Sequence, residues 1–518
     1  MFATLIRRRP HAFALAAIVL ASLLFELYVS SRCSLWLDEV NTYRDVRLPW
    51  PQVLAGAELQ HPPLVFVLVK LVVACFGLSA LSLRVVSLLS GCALLVTVDA
   101  LCRELGFAPR RALLVVGSVA LAPFFTEHAA EARHYMLFPA AGALAFWCVL
   151  RAVREPTRVG YLAGFAASAS VMGMTHYFGL AYAGALFGVV LVSVVPRYRT
   201  SELTRRQTVL AGLALSAFLA IFCWFLRDAV ALARFYARPG MAEDTLPWRE
   251  LLREMIDEFS LTGATPGAAE LEIPLAAAGL VLLARPLPGI VRVVPAALAF
   301  GPCVLALFIS SGHFVAPRYL APSWVLYHLG AVTALFALGD RLARVAARSR
   351  PKLLEPVAWA PLLLAMLTRV GSYPREFGVG EEDYRGLQSY FLEHFKADTA
   401  LVGFKGLFAE RIMDVYDIGS RPIWLERFKP RPGVNRYVVA EFEVRMPDRQ
   451  ATLEGLVRRQ FGLSAAEWHA IPTLDLPHTE LQVPVVARLL VLEGGKVRLP
   501  GRKHGHHHGR RPDAPPEE

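Results

Sequence analysis

The sequence predicts a polytopic α-helical membrane protein with a small α/β domain after its last span, and three observations predict it. Hydrophobic residues make up 55% of the 518 and charged residues only 19%, against roughly 25% charge in soluble domains. Mean hydropathy is +0.43. The apolar residues gather into runs near the ~20 that cross a hydrocarbon core of about 30 Å. The stretch from Tyr373 to Pro500 instead carries 17 Lys/Arg against 18 Asp/Glu. That balance also excludes nucleic acid as the partner behind the net charge of +11, because the basic excess lies in short arginine-rich links between apolar runs.

Arg7, Arg8 and Arg9 precede the first run, His11 to Val29. Its exit, Val29-Ser-Ser-Arg-Cys-Ser, lacks a small-residue cleavage site, which predicts an uncleaved anchor with a cytoplasmic N-terminus. Ten further runs follow near 79–101, 111–126, 135–150, 159–175, 178–196, 208–227, 272–285, 290–310, 319–339 and 354–371, giving about 11 transmembrane helices over 1–372. The segment from His61 to Gly77 is apolar but short, opens on two prolines and carries Lys70. Counting it as a span would put Arg103, Arg110 and Arg111 outside. Leaving it out keeps Arg103/Arg110/Arg111, Arg151/Arg154/Arg158, Arg197/Arg199/Arg205/Arg206, Arg285/Arg292 and Arg341/Arg344/Arg348/Arg350/Lys352 inside. We therefore expect an interfacial or re-entrant helix there, within a first outer loop over 30–79.

After about Gly371 the chain turns polar. Glu381 to Phe395 predicts a helix, and Ala400 to Phe404, Tyr437 to Val444 and Leu481 to Leu492 predict strands. The expected organisation is 1–372 in the membrane, 373–500 outside it, and a disordered Gly/His/Arg/Pro tail over 501–518. Cys33, Cys75, Cys92, Cys102, Cys148, Cys223 and Cys303 all lie in or beside apolar segments, so no disulfide framework is expected in the polar region.

Several ionisable residues stand at predicted outer ends of spans. Asp38 and Glu39 lie between Trp36-Leu37 and Val40, where apolar surroundings raise a carboxyl's basicity and suit it to accept a proton. A solvated acidic pair is the plainer reading. His61, His128, His134, His176 and His313 occupy the same side. They could hold a divalent metal cation or a phosphate, or be interfacial residues only. No His-x-x-x-His spacing selects a metal. Arg133 and Arg318, each beside a tyrosine (Tyr135 lies two on, Tyr319 next), break the positive-inside pattern, and a guanidinium is shaped to hold phosphate. Snorkelling to headgroups is the alternative. Convergence of these groups on one face is what handling a membrane-borne phosphate requires.

Trp36-Leu-Asp-Glu, Gln60-His-Pro-Pro-Leu, Ser82-Leu-Arg-Val-Val-Ser-Leu-Leu-Ser-Gly, Glu131-Ala-Arg-His-Tyr, His176-Tyr-Phe-Gly, Arg318-Tyr-Leu and Glu382-Asp-Tyr-Arg, taken in order, resemble glycosyltransferase family 39. The likeness extends to its dolichyl-phosphate-mannose protein mannosyltransferase-like bacterial relatives, over roughly residues 12 to 400. It implies a GT-C fold, a polyprenyl-phosphate sugar donor, catalysis on the outer side of a bacterial inner membrane, and Asp38 in the place of the catalytic aspartate. Glu39 is grouped with Asp38 in the catalytic pair, Asp38 as the base and Glu39 expected to orient the loop or an acceptor. His61, Arg133, Arg318 and Tyr319 are expected at the donor phosphate, and Glu131, Tyr135, His176 and His313 around the substrate. The acceptor is a hydroxyl of a protein, lipid or glycan. Where related aminoarabinose transferases have Glu-Lys-Pro, this chain has Gln60-His61-Pro62, so a metal or lysine contact of their kind is not carried over.

Two other classes compete. A secondary transporter or lipid flippase places ionisable groups at mid-span, whereas Asp99, Asp228 and Asp340 fall at span ends. A non-catalytic scaffold would have no reason to bring Asp38, His61 and Arg133 within about 10 Å, the approach expected of an enzyme site.

Overall fold

The computed structural model describes residues 10–55, 61–200, 204–236, 247–261, 268–310, 315–346 and 357–367 of the apolar part. Beyond it, 382–383, 387–389, 393, 399–403, 423–424, 433–441, 447–476, 483–484, 486–493 and 496–499 are described. His313, Gln60 and the tail over 501–518 lie outside the described residues.

The chain folds as two compact units, residues 1–33 with 38–378, and residues 34–37 with 379–518. In the first, helices run in chain order as α1 (Pro10–Arg32), α2 (Leu37–Arg47), α3 (Trp50–Ala55), α4 (Leu64–Phe76), α5 (Ala80–Glu104), α6 (Pro109–Ala120) and α7 (Pro123–Ala129). They continue as α8 (Leu137–Arg154), α9 (Val159–Thr175), α10 (Phe178–Val189), α11 (Arg205–Tyr236), α12 (Trp248–Phe259), α13 (Ala268–Ala284), α14 (Val294–Ile309), α15 (Ala321–Ala346) and α16 (Val357–Leu367). Among the described residues seven helices are long and apolar enough to cross a membrane, and the α6–α7 pair, bent by 60°, would make eight. The other three expected spans are the shorter apolar helices α9, Leu271–Ala284 within α13, and α16. The described residues of all eleven apolar runs are thus mostly helical, though not all the helices reach spanning length.

The breaks between helices have local causes. Pro123 lacks a donor N–H, and Ala122 before it is extended at φ −75°, ψ 143°, so the helix of α6 stops and restarts at an angle. The turn from α9 to α10 passes so close to the Met172 carbonyl that any Cβ at Gly179 would collide with it. Ser79 and Ser82 cap α5 reciprocally through side chain and backbone. The segment after Pro62-Pro63 forms only the 13-residue α4, about 20 Å long. Its Lys70 Nζ donates to the carbonyls of Val46 and Leu48, both at 2.7 Å. The ammonium thereby ties α4 to the C-terminal end of α2.

Amphipathic α12 buries Leu251, Met255 and Phe259, one stripe at i, i+4 and i+8. Helices α13 and α15 approach until their backbones touch, with Gly279 facing the Gly330 carbonyl and Gly330 facing that of Ala276. Charges within helices are mostly tied down. Glu272 accepts from Ser260 Oγ at 3.0 Å and the Leu261 N–H at 2.7 Å, while both oxygens of buried Glu26 lack a hydrogen-bond partner among the described residues.

In the polar region a sheet has strand order β3-β2-β4-β6-β7, with β2 (Thr399–Gly403), β3 (Ile423–Trp424), β4 (Arg436–Glu441), β6 (Val486–Glu493) and β7 (Lys496–Val497). Strands β2, β3 and β4 run parallel, and β6 is antiparallel to β4. One expected assignment changes. Glu382–Asp383 is a short strand, β1, paired with Val483–Pro484, β5; of the helix expected over Glu381 to Phe395, residues 387–389 and 393 are helical and the remainder lies outside the described residues. Helices at Pro447–Phe461 and Ala465–Ala470 were not anticipated. They cover Tyr437, Val439 and Leu490 with Val457 and Trp468.

The glycine contact yields a test. Gly279→Ala should lower the unfolding midpoint in detergent, by overpacking worth about 1–3 kcal/mol. Gly212→Ala, with open space around its Cβ, should leave it unchanged or raise it. Equal midpoints for the two variants would contradict the packing of α13 on α15.

Candidate active site

Four elements meet at one end of the bundle. Glu39, on the first turn of α2, is fully buried and paired with Arg84 of α5, itself 1% exposed. Arg84 Nε donates to Glu39 Oε1 at 2.7 Å and Nη2 to Oε2 at 2.5 Å. Its Nη1 donates to the carbonyls of Ser30 and Cys33, at 2.7 and 3.0 Å, where α1 ends. The Ala132 N–H adds a bond to Glu39 Oε1 at 2.6 Å. Glu39 was expected beside Asp38 as a catalytic carboxylate, but its oxygens face this buried network. Adjacent helical residues point about 100° apart, so with Glu39 turned inward Asp38 turns to the open side, where its side chain is 21% exposed.

Asp38 faces cations. Its Oδ2 lies 3.8 Å from Arg133 Nη2 and 3.7 Å from Arg318 Nη2, with the Tyr135 hydroxyl at 3.5 Å. Arg133 comes from the turn after α7 and Arg318 from the 3₁₀ turn that leads into α15. Arg318 Nε donates to Tyr135 Oη at 3.0 Å, and both guanidiniums lie over the Tyr135 ring at 5.4 and 5.9 Å. Arg133 Nη1 donates to the Asp38 carbonyl at 3.2 Å, and its carbonyl accepts from Ser87 Oγ at 2.7 Å. Its Nε, buried, has no hydrogen-bond partner among the described residues. Both arginines are thus ion-paired, and Arg133 keeps a donor for an anion.

Beside them His61, His134 and His176 cluster with centroids 4.7, 5.7 and 5.0 Å apart, His134 stacked on His176, and Tyr319 lies 4.7 Å from His176. Burial foremost, and then the Arg133 charge, hold His61 well below its usual pKa and push His176 down to about 3. Burial and the neighbouring His61 and His176 lower His134 likewise. All three rings are neutral at pH 7. A guanidinium can only donate, so the 3.1 Å contact from Arg133 Nη2 takes the lone pair of His61 Nε2 and leaves the proton on Nδ1. Phe178 N donates to His176 Nδ1 at 3.1 Å, leaving that proton on Nε2. Ligand atoms of the trio come within 4.8 Å of one another, but a metal needs a lone pair from each ring. Two are taken and two guanidiniums stand alongside, so the trio does not fit a cation. It offers N–H donors to an anion.

A second group, Glu127, His128 and Glu131, is no better as a metal site. His128 Nδ1 is 3.0 Å from Glu131 and Nε2 3.2 Å from Glu258 of α12, so both nitrogens serve carboxylates. Glu131 is committed to His128 and is buried.

The structure therefore brings Asp38, His61, Arg133, Tyr135, His176, Arg318 and Tyr319 together, sets Glu39 and Glu131 behind them, and leaves His313 outside the described residues. Sequence reasoning quoted Arg84 only inside a motif and missed Glu258. Arg84 could have been suspected as the one charge in the 18-residue stretch from Ala80 to Thr97 of α5.

Residues 60–226 match the family model described as dolichyl-phosphate-mannose-protein mannosyltransferase. Oligosaccharyltransferase AglB from Archaeoglobus fulgidus, solved with an inhibitory peptide and a dolichol-phosphate, superposes with a TM-score of 0.52 at 12% identity, over 87% of this chain and 71% of that one. ArnT from Cupriavidus metallidurans, bound to undecaprenyl phosphate, gives 0.49 at 15% identity over 93% and 98%. Arabinofuranosyltransferase AftD from Mycobacteria gives 0.45 at 18% over 82% and 35%. No curated protein matches the sequence. The chain has the GT-C architecture that the resemblance implied.

The neutral histidines carry a pH signature. A histidine whose folded pKa lies below its unfolded value near 6.5 stabilises the fold fully above that pH. As pH falls toward 3 the unfolded chain takes up the proton first, and that stability is lost. At pH 5 His176 alone should cost about 2 kcal/mol. The unfolding midpoint of wild type should therefore drop further between pH 7.5 and 5 than that of His176→Asn. Parallel drops would contradict a buried neutral ring.

Proposed function

We propose that this GT-C membrane glycosyltransferase moves a sugar from a polyprenyl-phosphate donor to an acceptor hydroxyl, with inversion, on the extracytoplasmic side of a bacterial inner membrane. The observation that carries the reading is the Asp38 carboxylate, partly open to solvent, held within 4 Å of two guanidiniums at one end of the bundle. The family description matched over residues 60–226 supports the polyprenyl-phosphate class of donor.

In this reading the donor phosphate enters between Arg133 and Arg318, drawing them from Asp38. His61 presents its Nδ1 proton to the same anion, with Tyr319 and His176 beside it. The acceptor oxygen attacks the anomeric carbon from the face opposite the phosphate, while Asp38 takes the hydroxyl proton. The carbon–oxygen bond to phosphate breaks as the new glycosidic bond forms, and polyprenyl phosphate leaves as an anion. Two fixed guanidiniums and imidazole N–H groups stabilise the charge that develops there, so no general acid is required. Glu39 takes no proton and serves as the strut that aims Asp38. Arginine-rich links at the other end of the spans support the sidedness.

The test is incubation of purified protein with a small set of polyprenyl-phosphate sugars and an acceptor, following release of polyprenyl phosphate. Asp38→Asn keeps volume and hydrogen-bonding shape but removes the proton acceptor. At saturating donor its single-turnover rate should fall by about 10²–10⁴ with donor binding intact. More than about a tenth of wild-type turnover would rule out Asp38 as the base, and no release with any donor would rule out the reaction.

A further inference from the structure

We infer that Ser323, buried in the first turn of α15, is a positioning residue that sets the Arg318 guanidinium through a carbonyl that Pro302 leaves open. The inference rests on the reading in which Arg318 meets the donor phosphate.

Pro302 lies inside α14. A helical carbonyl ordinarily accepts from the N–H four residues on, and proline has none. The Leu298 carbonyl therefore loses its usual donor. Ser323 supplies one from the neighbouring helix, its Oγ donating to that carbonyl at 2.7 Å. A serine hydroxyl has a single proton. With that proton spent on Leu298, Ser323 Oγ accepts from Tyr182 Oη of α10 at 2.6 Å. The Cys303 thiol, next after the proline, is turned to the Ala299 carbonyl at 3.3 Å. The direction of the run is thereby fixed, from Tyr182 to Ser323 and from Ser323 to Leu298. All three residues are buried, so loss of the middle hydroxyl would strand a carbonyl out of reach of water.

The run sits at the foot of the turn that carries Arg318. That 3₁₀ turn is Pro317–Leu320, and α15 starts at the next residue, Ala321. Tyr182 Oη also lies 3.4 Å from the Leu320 carbonyl, the last of the turn, which is its alternative acceptor. Helices α10 and α14 thus both grip the junction from which Arg318 reaches Tyr135 Oη and the Asp38 carboxylate. A guanidinium that is to hold a phosphate must be kept within about 0.5 Å of its working position, and the groups behind it do that. A serine that only joined two helices would add stability without changing affinity for a phosphate. One placed at the foot of this turn should change both.

The full-length protein in neutral detergent would be titrated with decaprenyl phosphate, and with decaprenol as the probe lacking phosphate. Bound lipid would be counted by native mass spectrometry and the unfolding midpoint recorded for each variant. Arg318→Gln should weaken binding of decaprenyl phosphate by about 10–100-fold, the worth of a charge-assisted contact. Ser323→Ala should weaken it about fivefold and leave decaprenol binding as it was. In the Arg318→Gln background Ser323→Ala should cost no further affinity while still lowering the unfolding midpoint. Pro302→Ala returns an N–H to the Leu298 carbonyl, so the Pro302→Ala/Ser323→Ala variant should regain most of the affinity that Ser323→Ala loses. Wild-type affinity in Ser323→Ala, a full further loss from it in the Arg318→Gln background, or no recovery with Pro302→Ala would overturn the inference alone. Binding of decaprenyl phosphate unchanged by Arg318→Gln would overturn it together with the reading it rests on.

Discussion

One buried ion pair organises the end of the helical bundle that carries Asp38. Glu39 and Arg84 are 45 residues apart and both out of water, and between them they satisfy groups from four elements: the first turn of α2, the body of α5, the last carbonyls of α1 and the Ala132 N–H after α7. Removing one member of such a pair leaves a buried charge uncompensated, at about 3–5 kcal/mol. The pair need not add net stability over an apolar substitute. What it supplies is register: Asp38 can turn only toward Arg133 and Arg318 once Glu39 is locked behind it.

From that constraint the electrostatics follow. The turn carrying Arg133 is fixed through the Ala132 N–H to Glu39 and through Ser87 to the Arg133 carbonyl. The guanidinium in turn fixes the tautomer of His61, and burial keeps the imidazoles uncharged. The outcome is a pocket whose charge comes from arginine and whose histidines add N–H groups without adding charge. Such a cluster favours an anion.

Much of this was legible beforehand because hydrophobicity is a local signal. The described parts of the apolar runs are mostly helical, and the segment opened by Pro62-Pro63 forms the 13-residue helix α4. Asp38, His61, Arg133, His176 and Arg318 could be grouped because each stands where an apolar run ends, and span ends on one side must be neighbours. The partners of Glu39 and His128 could not be read, since Arg84 and Glu258 lie 45 and 130 residues away along the chain and nothing local marks such a pairing. Helix Pro447–Phe461 escaped notice because its charged face dilutes its apolar one. Its neighbour was announced by the capping box of Ser464 and Glu467.

The central claim is that Glu39 and Arg84 act as one unit to aim Asp38. A double-mutant cycle on the single-turnover transfer rate at saturating donor measures this directly, using Glu39→Gln, Arg84→Gln and the two combined, with donor affinity recorded for each. The account predicts that each single change slows transfer by an order of magnitude or more with donor affinity nearly kept. The double variant should be little slower than either, because the second change removes nothing the first left in place. Additive losses in the double variant, or singles that lose donor binding while keeping the transfer rate, would contradict it.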